Sequence, residues 1–197
     1  MQVYRDIEAL TEVRDSVVAI GSFDGVHLGH RHILQWLCAT AREKNLRSVV
    51  ITFDPHPREV LQHDPAFFTI NTLQKNLSLM EEQGVDAALV LPFTQALASC
   101  DYRDFLQRYV IDALHAKCLL MGPNHTVGYH KGGNGESIAH FCAERQVQVL
   151  PIPEYMMRES GVHSAAIREA IRKEDWKTVN ELLGYAYEPH PNHSAEK

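Results

Sequence analysis

The sequence predicts an α/β fold, an open parallel sheet with helices on both faces followed by a short C-terminal helical segment. Three observations carry the prediction. Short apolar runs rich in β-branched residues recur along the chain; amphipathic stretches of ten to fifteen residues separate them; and the first run ends in a glycine-rich turn that opens a helix. Strands without polar alternation need cover on both sides, and intervening helices supply it in a parallel sheet.

The first strand is "SVVAIG" from Ser16 to Gly21, and the helix after its turn carries Ile33, Leu34, Leu37 and Ala41 at helical spacing. "SVVITF" at 48–53 reads as the next strand, and "TLQKNLSLMEEQG" at 72–84 as a helix closed by Gly84. "DAALVLPF" at 86–93 is a strand ended by Pro92, "YRDFLQRYVIDALHA" contains a helix, and "KCLLMG" at 117–122 is a strand. A helix over 136–145 and the strand "VQVLPI" at 147–152 complete the alternation, and "SAAIREAIRKE" and "WKTVNELLG" form two short helices. The expected organisation is one folded domain over 1–187 and a polar tail over 188–197, whose apolar content is too low to fold alone.

Composition limits the functional classes. A chain of 197 residues, 45% hydrophobic and 22% charged, has the makeup of a soluble globular protein, and a formal charge of -6 argues against a general nucleic-acid surface. Cys38, Cys100, Cys118 and Cys142 are widely spaced with no CxxC pair, which suits reduced thiols of a cytoplasmic protein. No apolar run approaches the roughly 18 residues of a membrane span, and no secretory leader pattern opens the chain.

Open parallel sheets bind ligands beyond the carboxyl ends of their strands, so the loops after Ile20, Phe53, Leu91 and Met121 are where chemistry is expected. The first loop, "GSFDGVHLGH", holds Gly21, Ser22, Phe23, Asp24, Gly25, His27, Gly29 and His30. Its glycines permit tight geometry, and a helix N-terminus with free N–H groups at about 29–31 and two imidazoles suits a polyphosphate. The loop fits neither a GxGxxG dinucleotide turn nor a Walker loop, since no GK[ST] follows. Metal binding by His27, His30 and His32 is the rival reading, weakened by the lack of a nearby cysteine or second histidine pair; ordinary surface is the third, and it fits His32 best. Asp24 is either a turn-forming carboxylate or one facing a reaction centre.

"GSFDGVHLGH" resembles the HxGH signature of the nucleotidyltransferase superfamily, and its surroundings are similar to the adenylyltransferase module of bacterial FAD synthetases. The similarity runs in order through "VVITFDPHPREVL", "LPF", "GPNHTVG", "HSAAIREAI" and "LLGYAY", covering about residues 12–187. The resemblance implies a Rossmann-like sheet and transfer of AMP from ATP to FMN, giving FAD and pyrophosphate, with Mg²⁺ carried mainly by the ATP phosphates. It also implies small-molecule nucleotides as partners, with no membrane or nucleic acid. The chain leaves no room for the riboflavin kinase barrel common in this family, so FMN is expected from a separate riboflavin kinase.

Site residues follow from the same resemblance. His27 and His30 would donate hydrogen bonds to phosphoryl oxygens, with Gly21, Ser22, Phe23, Asp24 and Gly29 forming their cradle. Ser164 is placed to cap a helix and Arg168 follows one turn later, an element that closes over ATP phosphates in the family. Here His163 and Ala165 replace hydroxyl residues of the family pattern. "TFDPHP", with Thr52, His56 and Pro57, reads as a rigid loop bordering the flavin. "GPNHTVG" keeps Asn124, Thr126 and Gly128 but has His125 and Val127 at the family's aromatic positions. Those four departures leave two alternatives: an HxGH transferase using another phosphate-bearing acceptor or CTP, and a nucleotide- or flavin-binding regulatory module with little turnover.

Overall fold

A computed structural model describes residues 1–10, 12–62, 64, 66–122, 128, 133–152 and 162–189. Its centre is a six-stranded sheet in the order β1-β4-β3-β2-β5-β6, with all neighbours parallel. The strands are β1 (Gln2–Tyr4), β2 (Ser16–Ile20), β3 (Arg47–Asp54), β4 (Ala87–Pro92), β5 (Ala116–Met121) and β6 (Gln148–Pro151). Every β2 residue is buried, as a run without polar alternation requires.

The helices divide between the two faces, and the division follows the period-2 alternation of the strands. Val17, Ala19, Val50 and Ala88 face α1 (Leu28–Lys44) and α3 (Leu73–Glu82), where Leu34, Leu37 and Met80 are buried. Val18, Ile20, Val49 and Leu89 pack with Phe105, Leu106 and Val110 from α5 (Tyr102–Phe105) and the π-helical segment Leu106–Ala113, and with Ile138 and Cys142 from α6 (Gly135–Ala143). Leu34 and Leu37 are fully buried and contribute roughly 1.5–3 kcal/mol each, more than the ~1 kcal/mol of a cap, so packing chiefly fixes α1. The C-terminal helices α7 (Ser164–Arg172) and α8 (Trp176–Leu183) form a smaller cluster with Ile70 through Ile167, Ile171, Val179 and Leu183.

The predicted strands and longer helices are present with ends shifted by a residue or two. Three features differ. β1 is a three-residue edge strand, too short for a sequence pattern to reveal. Residues Pro57–Gln62 form a short helix, α2, starting at the last residue of the "TFDPHP" stretch that the sequence reads as a rigid loop and whose first three residues belong to β3; Pro57 opens it, a position that needs no N–H donor. A short helix α4 (Gln95–Ala98) follows β4, capped by Thr94.

The chain runs outward from β2 to β3 to β4, then returns to place β5 on the other side of β2. β2 and β5 therefore flank the topological switch point, where loops leave toward opposite faces and open a crevice. The turn after β2 is the histidine loop. Much of the loop after β5 lies outside the described residues, including Asn124, His125, Thr126 and Val127.

Candidate active site

The turn from Gly21 to His27 is held on three sides. The Gly21 N–H donates to the Ile51 carbonyl at 3.0 Å, and the Thr52 hydroxyl donates to the Ser22 carbonyl at 3.2 Å, so β3 fixes its start. Thr52 is thus a buried support for the turn, at 1% exposure. Phe23 adopts φ 47° and buries its ring against the sheet, with its centroid 5.1 Å from that of His30. Gly25 takes φ +82°, and a Cβ there would lie 3.0 Å from an Ile70 methyl. Both the backbone conformation and the close approach require glycine at this position.

Asp24 is held by its partners. Its carboxylate, 2% exposed, accepts from the Ile70 N–H at 2.9 Å and the Asn71 N–H at 3.3 Å, and it pairs with Arg168 Nη2 at 2.5 Å. Arg168 is 4% exposed, donates from Nε to the Phe68 carbonyl at 2.7 Å, and lies over the Phe67 ring at 4.5 Å. The pair therefore joins the histidine turn, the 67–71 segment and α7. The sequence leaves Asp24 either local or catalytic; the structure makes it a long-range anchor.

His27 caps α1 with extended backbone, and its Nδ1 accepts from the His30 N–H at 3.4 Å. The Arg31 N–H goes to the His27 carbonyl at 2.9 Å. The N–H groups left without acceptors inside the helix are therefore those of Leu28 and Gly29 rather than 29–31 as expected. Because His27 Nδ1 accepts, the ring's single proton in the neutral form sits on Nε2, where it is a donor. The two imidazoles stack at 3.7 Å and 17°. His30 Nδ1 is buried with no hydrogen-bond partner among the described residues, while the residue itself keeps some surface. Burial pulls the His27 pKa down to about 4, aided by His163 and Arg168, and burial with His27 pulls His30 well below the usual histidine range. Both rings are neutral near pH 7.

Ser164 does not cap its helix. His163 occupies the N-cap of α7 without a side-chain bond, and Ser164 is the first helical residue; its hydroxyl donates to the Asp24 carbonyl at 3.4 Å. The cap lies one residue earlier than the sequence suggests, and Ser164 still reaches the histidine turn. His56 stands at the start of α2, where its Nδ1 accepts from the Arg58 N–H at 3.1 Å and its ring lies 4.9 Å from that of Phe67. Burial lowers its pKa to about 4, opposed in part by Asp24. Gly128 backs onto Tyr102, and a Cβ there would fall 2.6 Å from the Tyr102 nitrogen. His27, His30, Asp24, Ser164 and Arg168 converge; Asn124 and Thr126 lie outside the described residues.

The sequence gives no sign of a role for Asn71, Asn76 or Tyr185. The Gly25 N–H donates to Asn76 Oδ1 at 3.1 Å, and the Tyr185 hydroxyl donates to the Gly25 carbonyl at 2.6 Å. These partners are 51 and 160 residues away, and no local spacing signals them. Among the described residues no three His, Cys, Asp or Glu side chains gather as a metal site, and no helix is long and apolar enough to cross a membrane.

A strand–turn–helix carrying a stacked histidine pair at the switch point of an all-parallel sheet defines a Rossmann-like α/β protein with its site at the strand carboxyl ends. The family model for FAD synthetase matches residues 10–166, and the chain belongs to that family. It is 32% identical over 191 residues to a bifunctional riboflavin kinase/FMN adenylyltransferase of Pseudomonas fluorescens, covering 93% of this chain and 59% of that protein. A Listeria monocytogenes protein of the same name is 30% identical over 174 residues, covering 88% of this chain and 55% of the relative. The chain thus spans a little over half the length of these relatives. Among solved structures, one named a macrolide-efflux protein from Streptococcus pneumoniae superposes with a TM-score of 0.80 at 25% identity, covering 94% of this chain and 70% of that one. A pantothenate synthetase from Thermus thermophilus, at 14% identity and a TM-score of 0.51, shares the fold.

Proposed function

We propose that the chain is an FMN adenylyltransferase, moving the adenylyl group of ATP to the phosphate of FMN and releasing pyrophosphate. The observation that carries this reading is the pair of neutral, stacked imidazoles at the N-terminus of α1, beside the Leu28 and Gly29 N–H groups that have no acceptor within the helix. An FMN phosphate is already an oxyanion, so the attack needs alignment and charge stabilisation more than a general base. His27 Nε2–H is a fixed donor for a phosphoryl oxygen. His30 has a buried ring nitrogen with no partner among the described residues. An arriving polyphosphate would raise the depressed pKa of His30, while His27 stays a neutral donor because its Nδ1 accepts the His30 N–H.

Mg²⁺ belongs in this scheme as part of the MgATP substrate. Asp24 is the carboxylate within the turn, and its oxygens are taken by Arg168, Ile70 and Asn71. It does not fit a protein-held metal. The relatives' name joins this activity to riboflavin kinase, the activity that would supply FMN.

An acceptor panel tests the proposal: FMN, riboflavin, nicotinamide mononucleotide and glycerol 3-phosphate, each with ATP or CTP, read by product mass. FAD from FMN with ATP supports the reading. Product from another pair alone keeps nucleotidyl transfer and replaces the acceptor, and tight nucleotide binding without any product favours a regulatory module.

A further inference from the structure

The segment "LLGYAY" follows α8, and its first tyrosine reaches back across the molecule to the histidine turn. The Tyr185 hydroxyl donates to the Gly25 carbonyl at 2.6 Å and accepts from Asn71 Nδ2 at 2.7 Å. Asn71 Nδ2 also donates to Asn76 Oδ1 at 3.1 Å, and Asn76 Oδ1 accepts the Gly25 N–H at 3.1 Å. The four groups close a ring of hydrogen bonds in which every direction is set. A phenol has one proton, so its donation to Gly25 obliges it to accept from Asn71. The Asn71 amide then spends both of its hydrogens, one on Tyr185 and one on Asn76. Both backbone polar groups of Gly25 are held in this ring, and Gly25 lies two residues before His27.

We propose that Tyr185 is a positioning residue for His27 and His30, acting through the Gly25 carbonyl. The inference rests on the adenylyltransferase reading for its kinetic consequence, though its geometric claim stands without it. Asn71 and Asn76 are both buried, and Tyr185 is half-buried, so most of the ring is shielded from water. Gly25 sits at φ +82° between Phe23 and Val26, which also hold positive φ, and a run of such residues keeps its shape through outside contacts. The aromatic ring makes separate contacts, with Arg31 over it at 5.2 Å, one residue beyond His30, and Lys75 over it at 5.9 Å. Burial also pushes the Tyr185 pKa up to about 12, so the hydroxyl keeps its proton throughout the range where transfer would be assayed. The C-terminal segment thereby completes a site whose histidines come from residues near the N-terminus.

The decisive substitution is Tyr185→Phe, which deletes the hydroxyl and keeps the ring beneath Arg31 and Lys75. Positioning predicts that kcat for FAD formation falls on the order of tenfold or more, because small misplacements of oriented groups are costly, while KM for ATP and FMN stays within about twofold. Asn71→Ala opens the same ring elsewhere, so adding it to Tyr185→Phe should cost much less than its separate effect. A readout independent of turnover is the NMR spectrum of the histidine rings. The stacked His27 and His30 carbon-bound proton signals should shift in Tyr185→Phe while that of exposed His140 stays put. A kcat within about twofold of the parent at a lowered melting temperature would leave Tyr185 purely structural and overturn the proposal. If the parent makes no FAD, the adenylyltransferase reading fails and the NMR arm alone decides: unmoved His27 and His30 signals refute positioning, and shifted ones sustain it. Should Tyr185→Phe fail to fold, Asn71→Ala carries the same measurements.

Discussion

Replacing Arg168 with alanine should destabilise the whole domain before it informs on phosphate binding. Arg168 is 4% exposed and Asp24 is 2% exposed, so the substitution leaves a buried carboxylate that has lost its counter-charge. Removing one member of such a pair costs about 3–5 kcal/mol, several times the value of a surface ion pair. The Phe68 carbonyl also loses its 2.7 Å donor from Arg168 Nε. For a domain of this size each kcal/mol lowers the melting temperature by about 2–4 °C, so a drop of roughly 6–20 °C is expected. Thermal unfolding followed by circular dichroism reads it directly. Asp24→Ala should destabilise similarly, and the double variant should lose clearly less than the two single losses combined, because the orphaned charge is gone. A melting temperature within about 2 °C of the parent for Arg168→Ala, or strict additivity in the cycle, would refute the claim that this pair anchors the turn.

His30→Ala should keep the melting temperature near the parent's and lower kcat for transfer by roughly 10²–10³-fold, the usual loss for an oriented oxyanion donor, checked by pyrophosphate release. Stability should fall as pH drops from about 6.5 toward 4, because unfolded histidines take up protons that folded His27 and His56, with pKa values lowered to about 4, still refuse. The contribution is full above 6.5 and is lost as pH falls through that window; urea titrations across it check the slope, and His27→Gln should flatten it. Gly128→Ala should lower stability in urea by about 1–3 kcal/mol, since its Cβ would meet the Tyr102 backbone at 2.6 Å and φ is +84°.

The sheet was legible because β2, β3 and β4 are apolar without alternation and the helices between them bury residues such as Leu34, Leu37 and Met80 at regular spacing. Their order in the sheet does not follow from periodicity, yet the parallel pattern alone pointed to the strand carboxyl ends, where the histidine turn lies. His27 and His30 were legible because their placement depends on a local turn and a helix start. Asp24 was ambiguous because its partner lies 144 residues along the chain. Tyr185 carried no local sign of its reach to Gly25 for the same reason. Ser164 was misplaced by one position: a serine before an apolar helical run suggests a cap, but His163 takes the extended backbone and Ser164 has already entered the helix.

Whether the histidine turn supports transfer of an adenylyl group to FMN is measured most directly by incubating the purified chain with FMN, ATP and Mg²⁺. The products are separated by chromatography, and FAD and pyrophosphate are quantified together for the parent and for His30→Ala. The parent should give equal amounts of FAD and pyrophosphate, dependent on both substrates, and the variant a rate reduced by about two orders of magnitude or more. FAD formed equally fast by His30→Ala, or pyrophosphate released from ATP with no FAD, would contradict the proposed transfer.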